Sequence, residues 1–142
     1  MNHSTLEKLK FPIGKCPKID TVSETELENW ITTIETFSSK IISLTKTLSV
    51  EELNWIYRPK GWSIKQVVHH CADSHMNCFI RFKLALTEDV PIIKPYEEQL
   101  WAELADGNSN DIVPSLQIIE SVHKRWVLLL KSLSSKALKR QF

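Results

Sequence analysis

The sequence predicts an all-α bundle, and three observations carry that prediction. Only three of 142 residues are glycine and 42% are hydrophobic, the balance of a helix-rich globular chain. Three segments open with a serine followed three residues later by Glu or Gln: Ser23 with Glu26, Ser49 with Glu52, and Ser63 with Gln66. In such a capping box the serine accepts from a free amide of the first turn and the longer side chain reaches back. Nothing alternates with period two over a useful length, so no sheet is expected.

The helices follow in order. Residues 1–22, with Pro12, Gly14 and Pro17, read as an extended lead-in. Behind the Ser23 cap, Leu27, Trp30, Ile31, Ile34, Phe37, Ile41, Leu44 and Leu48 recur every three or four residues, which predicts an amphipathic helix over 24–47. Ser49 opens a short helix, and Arg58-Pro59-Lys60-Gly61 breaks the pattern before Trp62. The Ser63 cap starts a long helix over 64–87, whose apolar face is Ile64, Val68, Cys71, Ala72, His75, Phe79, Phe82 and Leu86. A long connection over 88–110 carries Pro91, Pro95, Tyr96 and Trp101, with a short helix expected near 96–104. Loops of that length in compact domains are often functional. Pro114 suits the first turn of a last long helix over 114–133, with Leu116, Ile119, His123, Trp126, Leu130 and Leu133 in its stripe.

Composition narrows the function. The 142 residues make a single domain, 1–142, large enough to bury roughly two thirds of its unfolded surface. A net charge of +1 from interspersed residues argues against nucleic acid or an anionic membrane as partner. Cys16, Cys71 and Cys78 are odd in number and lack metal or redox spacing, which fits reduced thiols in a cytoplasmic protein. Cys71 and Cys78 lie two turns apart, where free cysteine acts as a small hydrophobe. No run is long enough to span a membrane, and the amino terminus has no apolar leader core.

Chemistry concentrates in one run, Val67-Val68-His69-His70-Cys71-Ala72-Asp73-Ser74-His75. On a helix His70, Ser74, Asn77 and Arg81 form one polar stripe. A stripe led by an imidazole is either a wet face or the floor of a site. His75 and His123 fall on apolar faces, where a core imidazole bonded to a neighbour is the plainer reading. His69 projects away from His70 and reads as a surface or interface residue, and His3 as part of a mobile tail. The gaps of one, five and six residues put no two of the clustered imidazoles on one face, so spacing alone builds no metal site. No cofactor-binding motif and no nucleophile elbow is present.

The chain also echoes itself. Leu48-Ser49-Val50-Glu51-Glu52-Leu53 followed by Tyr57 resembles Leu133-Ser134-Ser135-Lys136-Ala137-Leu138 followed by Phe142, with Lys46 and Lys131 ahead of each. Few positions match, which leaves coincidence open. In the first copy a Pro-Gly turn and the histidine helix follow the aromatic residue.

The stretch from Tyr57-Arg58-Pro59 through Gly61-Trp62-Ser63 and His69-His70-Cys71-Ala72-Asp73-Ser74-His75-Met76-Asn77 closely resembles the YfiT branch of the DinB-like superfamily. So do Ile80-Arg81-Phe82-Lys83, Ile93-Lys94-Pro95-Tyr96, His123-Lys124-Arg125-Trp126 and Phe11-Pro12-Ile13-Gly14. The resemblance implies an antiparallel four-helix bundle with one divalent metal, commonly zinc or nickel, held by three histidines. The first family ligand matches His70; the other two belong to a late H-x-x-x-H helix that the expectation places beyond Phe142, so the last helix is expected to be missing here. It further implies a thiol S-transferase that joins a low-molecular-weight thiol such as bacillithiol to an electrophile; Asn77 and Arg81, on the His70 stripe, are candidates to orient the substrate, and a homodimer is the expected assembly because a missing helix would expose the apolar groove of the bundle. An open-sided metal would bind the thiol as thiolate, whereas a metal-dependent hydrolase would activate water at the same position. The remaining alternative is a truncated, inactive helical interaction module.

Overall fold

The computed structural model describes residues 3–19 and 21–142, with the side chains of His3 and Ser4 outside the description. Three long helices dominate: α2 (Glu24–Thr45), α4 (Ile64–Thr87) and α6 (Val113–Lys131). Short elements join them: α1 (His3–Lys10), α3 (Val50–Leu53), α5 (Glu98–Trp101) and a 3-10 turn at Ala137–Lys139. Among the described residues there is no strand; Ile56 and Ser63 form an isolated antiparallel bridge. The lead-in differs from expectation. Ser4 to Lys10 contains neither proline nor glycine, and those residues coil into α1 before Pro12 and Gly14 end the run. His3 therefore begins a helix and does not lie in a tail.

All three predicted caps are formed. Ser23, Ser49 and Ser63 each accept from the amide three residues on, and Glu26, Glu52 and Gln66 each bond back to the serine amide. Both carboxylates are drawn below the usual range by those bonds, led in Glu26 by the Ser23 hydroxyl and in Glu52 by the Ser49 amide. Pro114 sits in the first turn of α6, where its missing amide hydrogen costs nothing. At Arg58–Gly61 the Gly61 amide donates to the Arg58 carbonyl at 2.9 Å. A Cβ on Gly61 would lie 2.9 Å from that carbonyl and 2.7 Å from Arg58 Cγ, so only glycine fits.

The packing is centred on α6. Both α2 and α4 run along it, and no comparable seam joins α2 to α4. Two apolar clusters result. Leu53, Val68 and Ile112 form one end with Ile41, Leu48, Ile64 and Leu116; Phe79, Trp126 and Leu130 form the other with Ile31, Ile34 and Phe82. Between them lies a polar layer, in which His123 of α6 bonds to the Ile34 carbonyl of α2 through one ring nitrogen and to His75 of α4 through the other. Arg140 donates to the carbonyls of Ala85 and Glu88 and so closes the end of α4, where a cation also opposes the helix dipole.

The connection over 88–110 is tied to the first turns of α4. Trp62 Nε1 donates to Gln99 Oε1 at 3.0 Å and Gln66 Nε2 donates to the Ala102 carbonyl at 2.9 Å. Lys65, buried, donates to Asn110 Oδ1 at 3.0 Å, which also accepts from Asn54 at 3.2 Å. Gly107 lets this chain close on itself, since a Cβ there would sit 2.7 Å from the Trp101 carbonyl. No described helix is long and apolar enough to cross a membrane.

Candidate functional site

The four imidazoles of α4 and α6 differ in what their ring nitrogens do. His69 is 6% exposed, with Nδ1 2.8 Å from the Ser115 hydroxyl and Nε2 3.0 Å from the Ser109 carbonyl. A carbonyl only accepts, so Nε2 donates to Ser109 and Nδ1 accepts from Ser115. His69 thus corrects the surface assignment made from its direction on the helix: the long connection and α6 close over it. His123 is 3% exposed and uses both nitrogens, at 2.6 Å to the Ile34 carbonyl and 2.7 Å to His75 Nδ1. His75, half-buried, uses one nitrogen within the described structure. Burial, then the charges of His123 and His70, pull its pKa down to about 4.

His70 stands apart. It is half-buried, and neither ring nitrogen bonds to a described residue; its ring packs on Trp62 at 4.5 Å between centroids. Trp62 is itself pinned to Gln99, so the indole forms a fixed shelf that orients the imidazole without using its nitrogens. Asp73 lies nearby in charge terms: burial and Asp106 push its carboxyl up, while His70 and His69 draw it back.

Farther along the stripe, Asn77 borders a cleft of about 680 Å³ between α4 and the segment 94–104. Asn77 lines it with Tyr96 and Trp101, whose rings lie 4.5 Å apart. The Asn77 amide also donates to the Asp73 carbonyl at 2.8 Å, which holds the side chain to the helix. The Tyr96 hydroxyl is buried without a partner among the described residues, and burial followed by Glu98 and Asp73 pushes its pKa up. Arg81 is half-buried on the same stripe, where its charge offsets part of that shift. Asn77 therefore lines the cleft, whereas His70 and Arg81 are not among its lining residues. Sequence reasoning missed Trp62, Gln99 and Tyr96. Their partners are 37 residues away or across a loop, and no local pattern announces such a contact.

The donor set does not complete a metal centre. Among the described residues no group of three His, Cys, Asp or Glu side chains converges to hold an ion. His70 offers an unengaged donor, but no described residues join it to make a three-ligand site.

Fold and site define a helical bundle whose second long helix carries an open imidazole at His70 and borders a cleft at Asn77. The family model of the DinB superfamily matches residues 33–142, and the chain belongs to that superfamily. It is 40% identical over 138 residues to YfiT of Bacillus subtilis, covering 97% of this chain and 78% of that protein. A Bacillus mycoides relative is 44% identical over 137 residues, covering 96% of this chain and 79% of its own. Both are named as candidate metal-dependent hydrolases. The solved structure of YfiT, described as a four-helix bundle of unusual topology, superposes with a TM-score of 0.90 over 94% of this chain and 76% of that one. The all-α bundle read from the sequence is borne out.

Proposed function

We propose that the chain acts in metal-dependent hydrolysis, with His70 as a metal ligand. The observation that supports this is the asymmetry among the imidazoles: His69 and His123 have both nitrogens engaged, while His70 has neither engaged and is held by a ring shelf. Relatives at 40% and 44% identity bear the name of metal-dependent hydrolases. Borderline metals such as zinc and nickel suit an imidazole donor. His70 alone does not make a metal site. What the chain itself supplies is a cleft whose Asn77 and Tyr96 would orient a small polar substrate, with Arg81 on the same stripe of α4.

Thiol transfer is the finer version of the same proposal, with a thiolate such as that of bacillithiol in place of water as nucleophile. One experiment addresses both. The purified chain is assayed for metal content and for turnover with zinc or nickel, once on activated esters and amides and once on bacillithiol with a chlorinated electrophile. Metal-stimulated turnover that disappears in His70→Ala is expected. Turnover in the thiol arm alone would replace hydrolysis by transfer, and activity unchanged in His70→Ala would remove His70 from the site. The proposed homodimer is checked in the same preparation by light scattering.

A further inference from the structure

The cleft beside α4 carries a charge pattern that hydrolysis alone does not explain. Lys94 and Glu97 both line it, one cation and one carboxylate three residues apart. At the same spacing Glu7 and Lys10 pair at 3.0 Å on α1, but the chain between Lys94 and Glu97 is not helical and the two do not pair. Neither side chain bonds to any described residue. Glu97 even stands at the N-cap of α5, where acidic side chains commonly bind first-turn amides, and makes no such bond. Other charges nearby do not border the cleft: Glu98 and Arg81 are outside its lining, and Glu103 accepts from Gln99 at 2.7 Å. The rest of the wall is apolar. Leu100 is 59% exposed and Trp101 38% exposed, the latter against Tyr96. Across from them, Asn77 donates to the Asp73 carbonyl and leaves its oxygen without a described partner. The bonds from Trp62 to Gln99 and from Gln66 to the Ala102 carbonyl hold this wall on α4, so the cleft is formed before any ligand arrives.

A ligand that carried only an anion would meet the Glu97 carboxylate, and one that carried only a cation would meet the Lys94 ammonium. A ligand of both signs pairs with both, and the apolar wall adds an aliphatic or aromatic body to the requirement. We propose that this cleft binds a small zwitterion with an apolar side group, of the class of dipeptides. Its carboxylate pairs with Lys94, its ammonium with Glu97, and its side chain lies on Leu100 and the Tyr96–Trp101 pair. The peptide N–H between the two ends finds an acceptor in Asn77 Oδ1. The choice of a dipeptide over other zwitterions rests on the hydrolytic reading above, because a dipeptide carries a hydrolysable amide between its two charges. Hydrolysis of that amide adds one water across the C–N bond and releases two amino acids.

The test titrates the full chain with alanyl-phenylalanine and follows its backbone amides by NMR. Shifts at Asn77, Leu100 and Trp101 are expected as the dipeptide saturates the cleft. Two blocked forms remove one charge each: the N-acetyl form lacks the ammonium, and the C-terminal amide lacks the carboxylate. Each is expected to bind about fivefold more weakly than the parent. Lys94→Gln should weaken the parent by the same factor and leave nothing further to lose on amidation. Glu97→Gln should do the same for acetylation. Both side chains are exposed and unpaired, so neither change threatens the fold. A dipeptide that shifts no cleft residue, or blocked forms that bind as tightly as the parent, would overturn the proposal. If the same chain hydrolyses p-nitrophenyl acetate with added zinc or nickel, that result removes the zwitterion site and leaves the hydrolytic reading standing. A chain that binds the dipeptide with the expected charge pattern, but cleaves neither it nor any activated ester, keeps the site and ends the hydrolytic reading.

Discussion

His69 and His70 are neighbours in sequence and opposites in structure. One turns under the long connection and clamps Ser109 and Ser115, and the other leans on Trp62 with both nitrogens unengaged. About 100° of helix rotation separates them. An imidazole closed over by packing serves stability, and one left at the edge of packing is available for chemistry. Stability and activity should therefore respond in opposite patterns when each is removed.

The largest stability effect is expected at His123, where His123→Leu leaves His75 and the Ile34 carbonyl without their partner in the bundle centre. A loss of about 3 kcal/mol is expected, read by urea unfolding monitored by circular dichroism. His69→Ala follows at about 2 kcal/mol, because the Ser115 hydroxyl loses its acceptor and a buried ring leaves a void. Acid should act through His75. Its folded pKa of about 4 lies below the usual 6.5, so the unfolded chain binds more protons in between. This contribution is complete above pH 6.5 and is lost as pH falls toward 4, and His75→Gln should flatten that part of a pH series of melting temperatures. Ser49→Ala should cost about 1 kcal/mol through the lost cap. The smallest effect is expected at His70→Ala, within about 0.5 kcal/mol, with loss of metal-stimulated activity. If His70→Ala destabilised the fold as much as His69→Ala, the division between the two neighbours would be wrong.

Local signals were legible in the sequence, and distant ones were not. The three capping boxes fixed helix starts to the residue, because a cap is written in four consecutive positions. The long helix over 64–87 is found as Ile64–Thr87, and the first and last long helices stop about two residues short of expectation, at Thr45 and Lys131. The lead-in departs from the expected extended chain because Pro12 and Gly14 break only the residues around them, and the eight before are free to coil. The echo survives at its cap. Ser134 accepts from the Ala137 amide at 3.3 Å as Ser49 does from Glu52 at 3.2 Å, but the second copy lacks the returning carboxylate and winds as a 3-10 turn. Within the site, His70 was picked from a stripe and from family resemblance, and Asn77 and Arg81 from the same stripe. The burial of His69 depends on a loop that returns forty residues later, which helix direction does not encode.

That α6 alone joins the other two long helices has a consequence for how the chain is made. The bond from His123 to Ile34 closes a loop of 89 residues, and the one from His123 to His75 closes 48. As synthesis proceeds from the amino terminus, α2 and α4 emerge with apolar stripes and nothing extensive to pack against. Neither stripe meets α6 until that helix, which begins at Val113, leaves the ribosome. Nascent protein is thus exposed to aggregation until α6 emerges, and folding should begin in a cooperative step centred on α6.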